Sequence, residues 1–251
     1  MTPRRAAEDV VFCVVFFTRL PLPAFDFGGR PLAQAIWAAP VAGAVVGMVG
    51  CLVYLAALML DVPVPVAAAL TLAAGMLVTG CLHEDGLSDV ADGFGGGATR
   101  ERKLEIMRDS RIGAYGASAL LMSALVRWSA IAALANPLYV CSALIAAHAA
   151  SRALLAAFMV LLPPARTDGL AASAGRAQAD GAYVSLAIGA LALLAIGASG
   201  LAVAALCLAL VFFGLRAACL RQIGGHTGDT LGALQQAGEI TVLVVASAML
   251  T

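Results

Sequence analysis

The chain has 251 residues, 62% of them hydrophobic and 12% charged, with a formal net charge of zero and a mean hydropathy of +0.95. A soluble globular domain carries about 25% charged residues, so this composition excludes that class. The balanced charge, without a basic cluster, argues against a nucleic-acid partner and against a polybasic lipid anchor.

At the start of the chain, Arg4 and Arg5 precede a short apolar run, residues 10–17. The run is too short to span a bilayer and no small-residue cleavage site follows it. We therefore expect a short N-terminal interfacial helix and not a secretory signal. A span needs about 20 apolar residues. In chain order the candidates are 36–60, 64–82, 112–135, 138–162, 182–198 and 200–215, followed by a shorter stretch, 240–250, whose start reaches back toward Leu231. Small residues fill these runs, as in "AAPVAGAVVGMVG" (38–50), and permit close helix contact. The expected fold is an all-α, polytopic integral membrane helical bundle of six to seven transmembrane helices, one domain over residues 1–251. The six cysteines are scattered and form no C-x-x-C, so they read as small packing residues.

The connections sort by charge. Residues 61–63, 136–137 and 199–200 contain no Lys or Arg, whereas 83–111, 163–181 and 216–230 contain nine. The positive-inside rule puts the second set in the cytoplasm. Of fifteen Asp and Glu residues, only Asp61 then falls outside, so the chemistry faces the cytoplasm.

The most acidic stretch is "HEDGLSDVADGFGGG" (83–97). If it is helical, Asp85, Asp89 and Asp92 stand at i, i+4 and i+7 and share one face. Three carboxylates so close repel one another unless a cation lies between them, and hard oxygen ligands suit Mg²⁺ or Mn²⁺. Gly86 and Gly93 let a phosphate approach the backbone. A solvated acidic loop explains the charge equally well but not the register. Residues 95–97 read as a flexible turn.

The same connection continues with Leu104, Ile106 and Met107, the apolar side of an amphipathic interfacial helix. Asp109 and Ser110 precede Ile112 and suit the cap of the next span. Arg108 and Arg111 either fork a phosphate or simply mark the inner side. Near the C-terminus, "GGHTGDTLGALQQAGE" (224–239) sets His226, Thr227, Asp229 and Thr230 in a glycine-rich loop. Such a loop presents backbone N–H groups and one carboxylate to a phosphate–metal cluster, or else caps the last helix through Asp229 or Thr230. Within the spans, Arg127, His148 and Arg152 line a polar cavity or hydrogen-bond between helices.

"FFTRLPLP" (16–23), "HEDGLSDVADGFGGG" (83–97), "LEIMRDSRIGAYG" (104–116) and "GGHTGDTLGA" (224–233) together resemble the cobalamin synthase (adenosylcobinamide-GDP ribazoletransferase) family, in order over nearly the whole chain. The resemblance implies an Mg²⁺-dependent enzyme of the bacterial inner membrane. It implies joining of adenosylcobinamide-GDP to α-ribazole or α-ribazole 5′-phosphate, with release of GMP. It further implies metal ligation by Asp85, Asp89 and Asp92, and proton abstraction by Asp92, Asp89 or His83. Arg108, Asp109, Arg111, His226, Thr227 and Asp229 would bind phosphates. The acidic motif is also similar to that of CDP-alcohol phosphotransferases, so a phospholipid synthase is the rival enzyme. A small-molecule transporter is the rival suggested by Arg127, His148 and Arg152. The expected partners are these small molecules and the lipid bilayer; assembly of several copies is compatible with the composition.

Overall fold

The computed structural model describes residues 2–22, 29–166 and 175–250. Pro23 of the first motif, and residues 167–174 of the connection 163–181, lie outside them. Eleven α-helices appear among the described residues. The first, α1 (Pro3–Phe17), is followed by a single turn, α2 (Leu32–Ala35), and a 3₁₀ turn, Ile36–Ala38. Two apolar helices come next, α3 (Ala39–Met59) and α4 (Val64–Thr79). Then come α5 (Leu82–Gly96), short α6 (Arg100–Ile106), α7 (Ala114–Leu134) and α8 (Pro137–Leu161). The last three are α9 (Ala179–Leu193), α10 (Gly197–Ile223) and α11 (Gly228–Leu250).

Five helical stretches are long and apolar enough to cross a membrane, or six if α4 and α5 count as one bent span. The chain is thus a multi-pass membrane protein. Large apolar side chains such as Leu52, Leu77, Leu121, Leu191 and Leu210 stay exposed around the bundle, as a lipid-facing surface requires.

Two expected boundaries shift. The stretch 64–82 ends early, at Thr79, because Gly80 (φ +62°) and Cys81 (φ +58°) both adopt the left-handed conformation. The chain bends there by 89° into α5. The helix that follows, α5, has 15 residues and carries four carboxylates. The region 179–223 is one 45-residue helical stretch, far longer than a bilayer is thick. It breaks at the 3₁₀ turn Leu194–Ile196 and Gly197 (φ +82°), slightly before the expected 199–200. The final helix begins at Gly228, close to the Leu231 toward which its expected start reaches back. At the N-terminus, α1 is amphipathic: Cys13, Val14 and Phe17 face the bundle while Arg4 and Arg5 stay exposed.

The bundle is built around α8, buried almost continuously from Val140 to Met159 and packed by α3, α9 and α11. Close approach of α3 depends on glycine. A Cβ at Gly43 would collide with the His148 carbonyl, and one at Gly47 would lie 2.8 Å from the Ile145 Cα. At one end, the Tyr54 hydroxyl donates to the Ala135 carbonyl (2.8 Å) and the Trp128 indole to the Pro65 carbonyl (2.7 Å). These bonds join the surroundings of two of the connections without Lys or Arg, 61–63 and 136–137.

At the other end the three charged connections meet. Arg100 donates to the Ala165 carbonyl (3.1 Å) and Arg166 to the Leu104 carbonyl (3.0 Å). Pro163 and Ala165 exchange backbone hydrogen bonds with His226, each 2.8 Å. The charge sorting in the sequence therefore corresponds to two physical ends of the bundle.

Candidate active site at the crossing of α5 and α11

The acidic stretch packs as helix α5, with Val90 and two glycines, Gly86 and Gly93, on its buried face. Val90 and Met107 pack with Ala233 of α11, and Leu87 and Phe94 lie against them. The two helices cross where neither has a side chain. A Cβ on Gly86 would stand 2.7 Å from the Asp229 carbonyl, and one on Gly232 would stand 3.2 Å from the Gly86 Cα. This contact brings Asp85 and Asp89 of α5 beside Asp229 at the start of α11.

Asp85 is exposed and Asp89 half-buried. Burial, then the charges of Asp85, Asp229 and Asp92, push the Asp89 carboxyl up to about 7, against a weaker opposing pull from Arg166. The face is short of positive charge, and a cation would relieve it.

Asp92 has a different task from the expected one. Its carboxylate turns away to the first turn of α7, where it accepts from the backbone N–H of Gly113 (2.7 Å) and Gly116 (2.9 Å). It satisfies amides that a helix start leaves orphaned, and its negative charge meets the positive end of the helix. A Cβ at Gly113 or Gly116 would strike this carboxylate, which accounts for both glycines of "RIGAYG". The expected triad of Asp85, Asp89 and Asp92 is therefore not assembled as an ion cage. Among the described residues no three His, Cys, Asp or Glu side chains lie close enough to hold a metal. What fits a hard divalent ion is the open pair Asp85 and Asp89, since Mg²⁺ commonly takes one or two carboxylates and fills its shell with water and substrate phosphate. We predict that Asp92→Ala lowers folding stability by about 1–2 kcal/mol and Asp92→Asn by less, read as thermal melting in detergent.

The second constellation also divides. Thr227 and Thr230 cap α11 reciprocally: the Thr227 N–H donates to Thr230 Oγ1 (2.9 Å), and the Thr230 N–H to Thr227 Oγ1 (3.3 Å). The Thr227 hydroxyl also donates to Asp229 Oδ2 (3.1 Å), which fixes that carboxylate at the crossing. Arg166 lies 3.7 Å from the same oxygen, and Arg108 is near enough to act on it. His226 is buried in the turn between α10 and α11; desolvation lowers its pKa, so it is neutral there. Asp109 and Arg111 are tied to each other at the surface (2.5 Å), and the Asp109 carboxyl is held well below its usual range by that arginine. Asp92, and not Asp109, caps α7.

His83, at the start of α5, is 3% exposed and stacks on Phe17 of α1, with centroids 5.7 Å apart and planes 15° from parallel. Its Nε2 is buried without a hydrogen-bond partner.

Behind the crossing lies a network that the sequence only half revealed. Arg127 Nη1 donates to Glu84 Oε1 (3.1 Å) and to Glu239 Oε1 (2.9 Å). Glu239 Oε2 accepts from Gln235 Nε2 (2.7 Å) and lies 3.1 Å from His148 Nδ1. Arg152 Nη1 donates to the His148 carbonyl (3.1 Å), and Gln236 Nε2 to Glu84 Oε1 (3.3 Å). Four helices, α5, α7, α8 and α11, are thus joined through Glu84, Arg127, His148 and Glu239. The space beside them is about 10 Å³, hardly room for one water, so this is a packed knot and not a pathway. Glu84, Gln235, Gln236 and Glu239 escaped the sequence reading. The signal was Gln235 and Glu239, one turn apart at the head of an apolar run.

A family model described as cobalamin-5-phosphate synthase matches residues 9–247. The chain is 57% identical to a protein of Mesorhizobium japonicum named adenosylcobinamide-GDP ribazoletransferase, covering 100% of this chain and 97% of the relative. It is 51% identical to a protein of the same name from Bradyrhizobium diazoefficiens (98% and 96% covered) and 43% identical to one from Azorhizobium caulinodans (97% and 97%). No solved structure matches it. With a match of this length and identity, the chain belongs to the cobalamin-5-phosphate synthase family.

Proposed function

We propose that this transferase joins adenosylcobinamide-GDP to α-ribazole or α-ribazole 5′-phosphate, giving adenosylcobalamin or its 5′-phosphate and GMP. The observation that carries the proposal is full-length identity to relatives named for that transfer, 57% over 251 residues. The geometry is consistent with the chemistry. A ribose hydroxyl attacks the phosphorus next to the cobinamide, the phosphoanhydride bond breaks, and GMP leaves with the electron pair.

Asp85 and Asp89 are the carboxylates we assign to Mg²⁺. When bound, the ion would neutralise the diphosphate and the charge growing on the leaving GMP. Asp229, fixed by Thr227, completes the acidic wall, while Arg166 and Arg108 supply positive charge on its other side. The open carboxylates at this face are the proton acceptors within reach of the attacking hydroxyl; Asp92 is engaged by α7 and His83 is walled in.

We place the site on the cytoplasmic side of a bacterial inner membrane, where nucleotide substrates are found. Support comes from the arginines that gather at this end. Asp61→Cys, at the opposite end, is then expected to react with a membrane-impermeant maleimide in intact cells; reaction only after permeabilisation would reverse the orientation.

The decisive assay is incubation of purified protein with adenosylcobinamide-GDP, α-ribazole 5′-phosphate and Mg²⁺. GMP and a cobalamin product are expected in detergent, without two compartments, which a transporter would require. Release of CMP from CDP-diacylglycerol with no cobalamin formed would favour the phospholipid-synthase reading instead.

A further inference from the structure

One cavity is left without a role by the acidic face and the buried network. It has a volume of about 160 Å³ and opens where α1, the Ile36 turn, α5, α8 and α11 meet. Phe17, Ile36, Leu155 and Met159 make its walls apolar, and Asp85 and Asp229 stand at its edge. The cavity is therefore continuous with the face to which the diphosphate is assigned. Its aromatic side comes from the first two residues of "FFTRLPLP", Phe16 and Phe17.

We infer that this cavity receives the heteroaromatic base of the acceptor nucleoside, holding the ribose hydroxyl over Asp85 and Asp229; this rests on the transfer proposed above. Size selects the occupant. An apolar cavity of about 150 Å³ takes a ring of benzene size, so the space is on the scale of a small flat base and far too small for a corrin macrocycle. The wall chemistry selects it too. The stacked Phe17–His83 pair presents an aromatic side to a flat apolar ring, which binds well offset or edge-on. His83 also lines the cavity, with its ring between that space and the buried network of Glu84, Arg127 and Glu239. The polar edge matches the rest of the nucleoside: hydroxyls and phosphate belong with carboxylates and cations, the base with leucine and methionine.

The test uses two variants that shrink the cavity from different elements, Met159→Phe and Ile36→Phe, each checked for folding by thermal melting. In calorimetry without donor, purified parent protein is expected to bind α-ribazole, and each variant to bind it at least tenfold more weakly. The analogue carrying unsubstituted benzimidazole, smaller by two methyl groups, should lose at least threefold less. In turnover, KM for α-ribazole should rise to match while KM for adenosylcobinamide-GDP stays within twofold. Unchanged α-ribazole binding in the variants, an equal loss for both bases, or a rise confined to adenosylcobinamide-GDP would overturn the assignment. If neither variant folds, α-ribazole protection of Ile36→Cys from a maleimide decides, and absence of protection overturns it as well. Failure of the parent to form cobalamin while still binding α-ribazole would instead remove the transfer reading and leave the pocket standing.

Discussion

We expect Asp89→Asn to lower transfer by roughly 10³-fold, about 4 kcal/mol of transition-state stabilisation, while the protein inserts and purifies like its parent. Asp89 is the carboxylate most crowded by its neighbours, with Asp85, Asp229 and Asp92 all raising its pKa. Asn keeps its shape and removes the charge, so the loss isolates the electrostatic part of the site. Folding should be spared. Asp89 is half-buried and, unlike Asp92, holds no helix start among the described residues. Normal turnover in Asp89→Asn would remove the carboxylate pair from the mechanism; a collapsed melting temperature would make the residue structural.

The largest stability effect is expected at Arg127, where substitution by Ala should cost about 3–5 kcal/mol. Its guanidinium lies between Glu84 and Glu239, 3% exposed, in a space without room for solvent. Removing it leaves two buried carboxylates with Arg152 as the nearest remaining cation. Much of that cost is the stranded charge and not the bond itself. Arg127→Met combined with Glu84→Gln should therefore recover a good part of the melting temperature lost in Arg127→Met alone. If Arg127→Ala melts within about 1 kcal/mol of the parent, the knot is not what joins α5, α7, α8 and α11.

Much of the architecture was legible in the sequence because a bilayer demands it. Apolar runs of fixed length, and arginines confined to alternate connections, are requirements that show in composition alone. Helix starts and turns were less legible. Val64–Thr79 ends where two consecutive residues take left-handed φ, and the second is Cys81, which no turn rule marks. The start of the last helix stays open in the sequence, between Leu231 and residue 240, because Gln235, Gln236 and Glu239 interrupt its hydropathy; all three are buried in the polar knot.

The acidic motif is helical, as its periodicity requires, and periodicity puts its three aspartates on one face. Periodicity knows nothing of the neighbouring helix, however. The N-terminus of α7, with glycines at 113 and 116, draws Asp92 out of the group, and Asp229 arrives from 140 residues away to face the other two. The family resemblance implies phosphate binding by Asp109 and Arg111, and the structure pairs them with each other two positions apart. A local ion pair of that kind is invisible to a motif.

The central claim is that the open edge of α5 holds a divalent cation through Asp85 and Asp89. Mn²⁺ binding to purified protein, read by electron paramagnetic resonance with adenosylcobinamide-GDP present, addresses it directly. The parent is predicted to hold Mn²⁺, and the double variant Asp85→Asn, Asp89→Asn to lose it while Asp92→Asn retains most of it. Undiminished Mn²⁺ binding by the double variant would contradict the account.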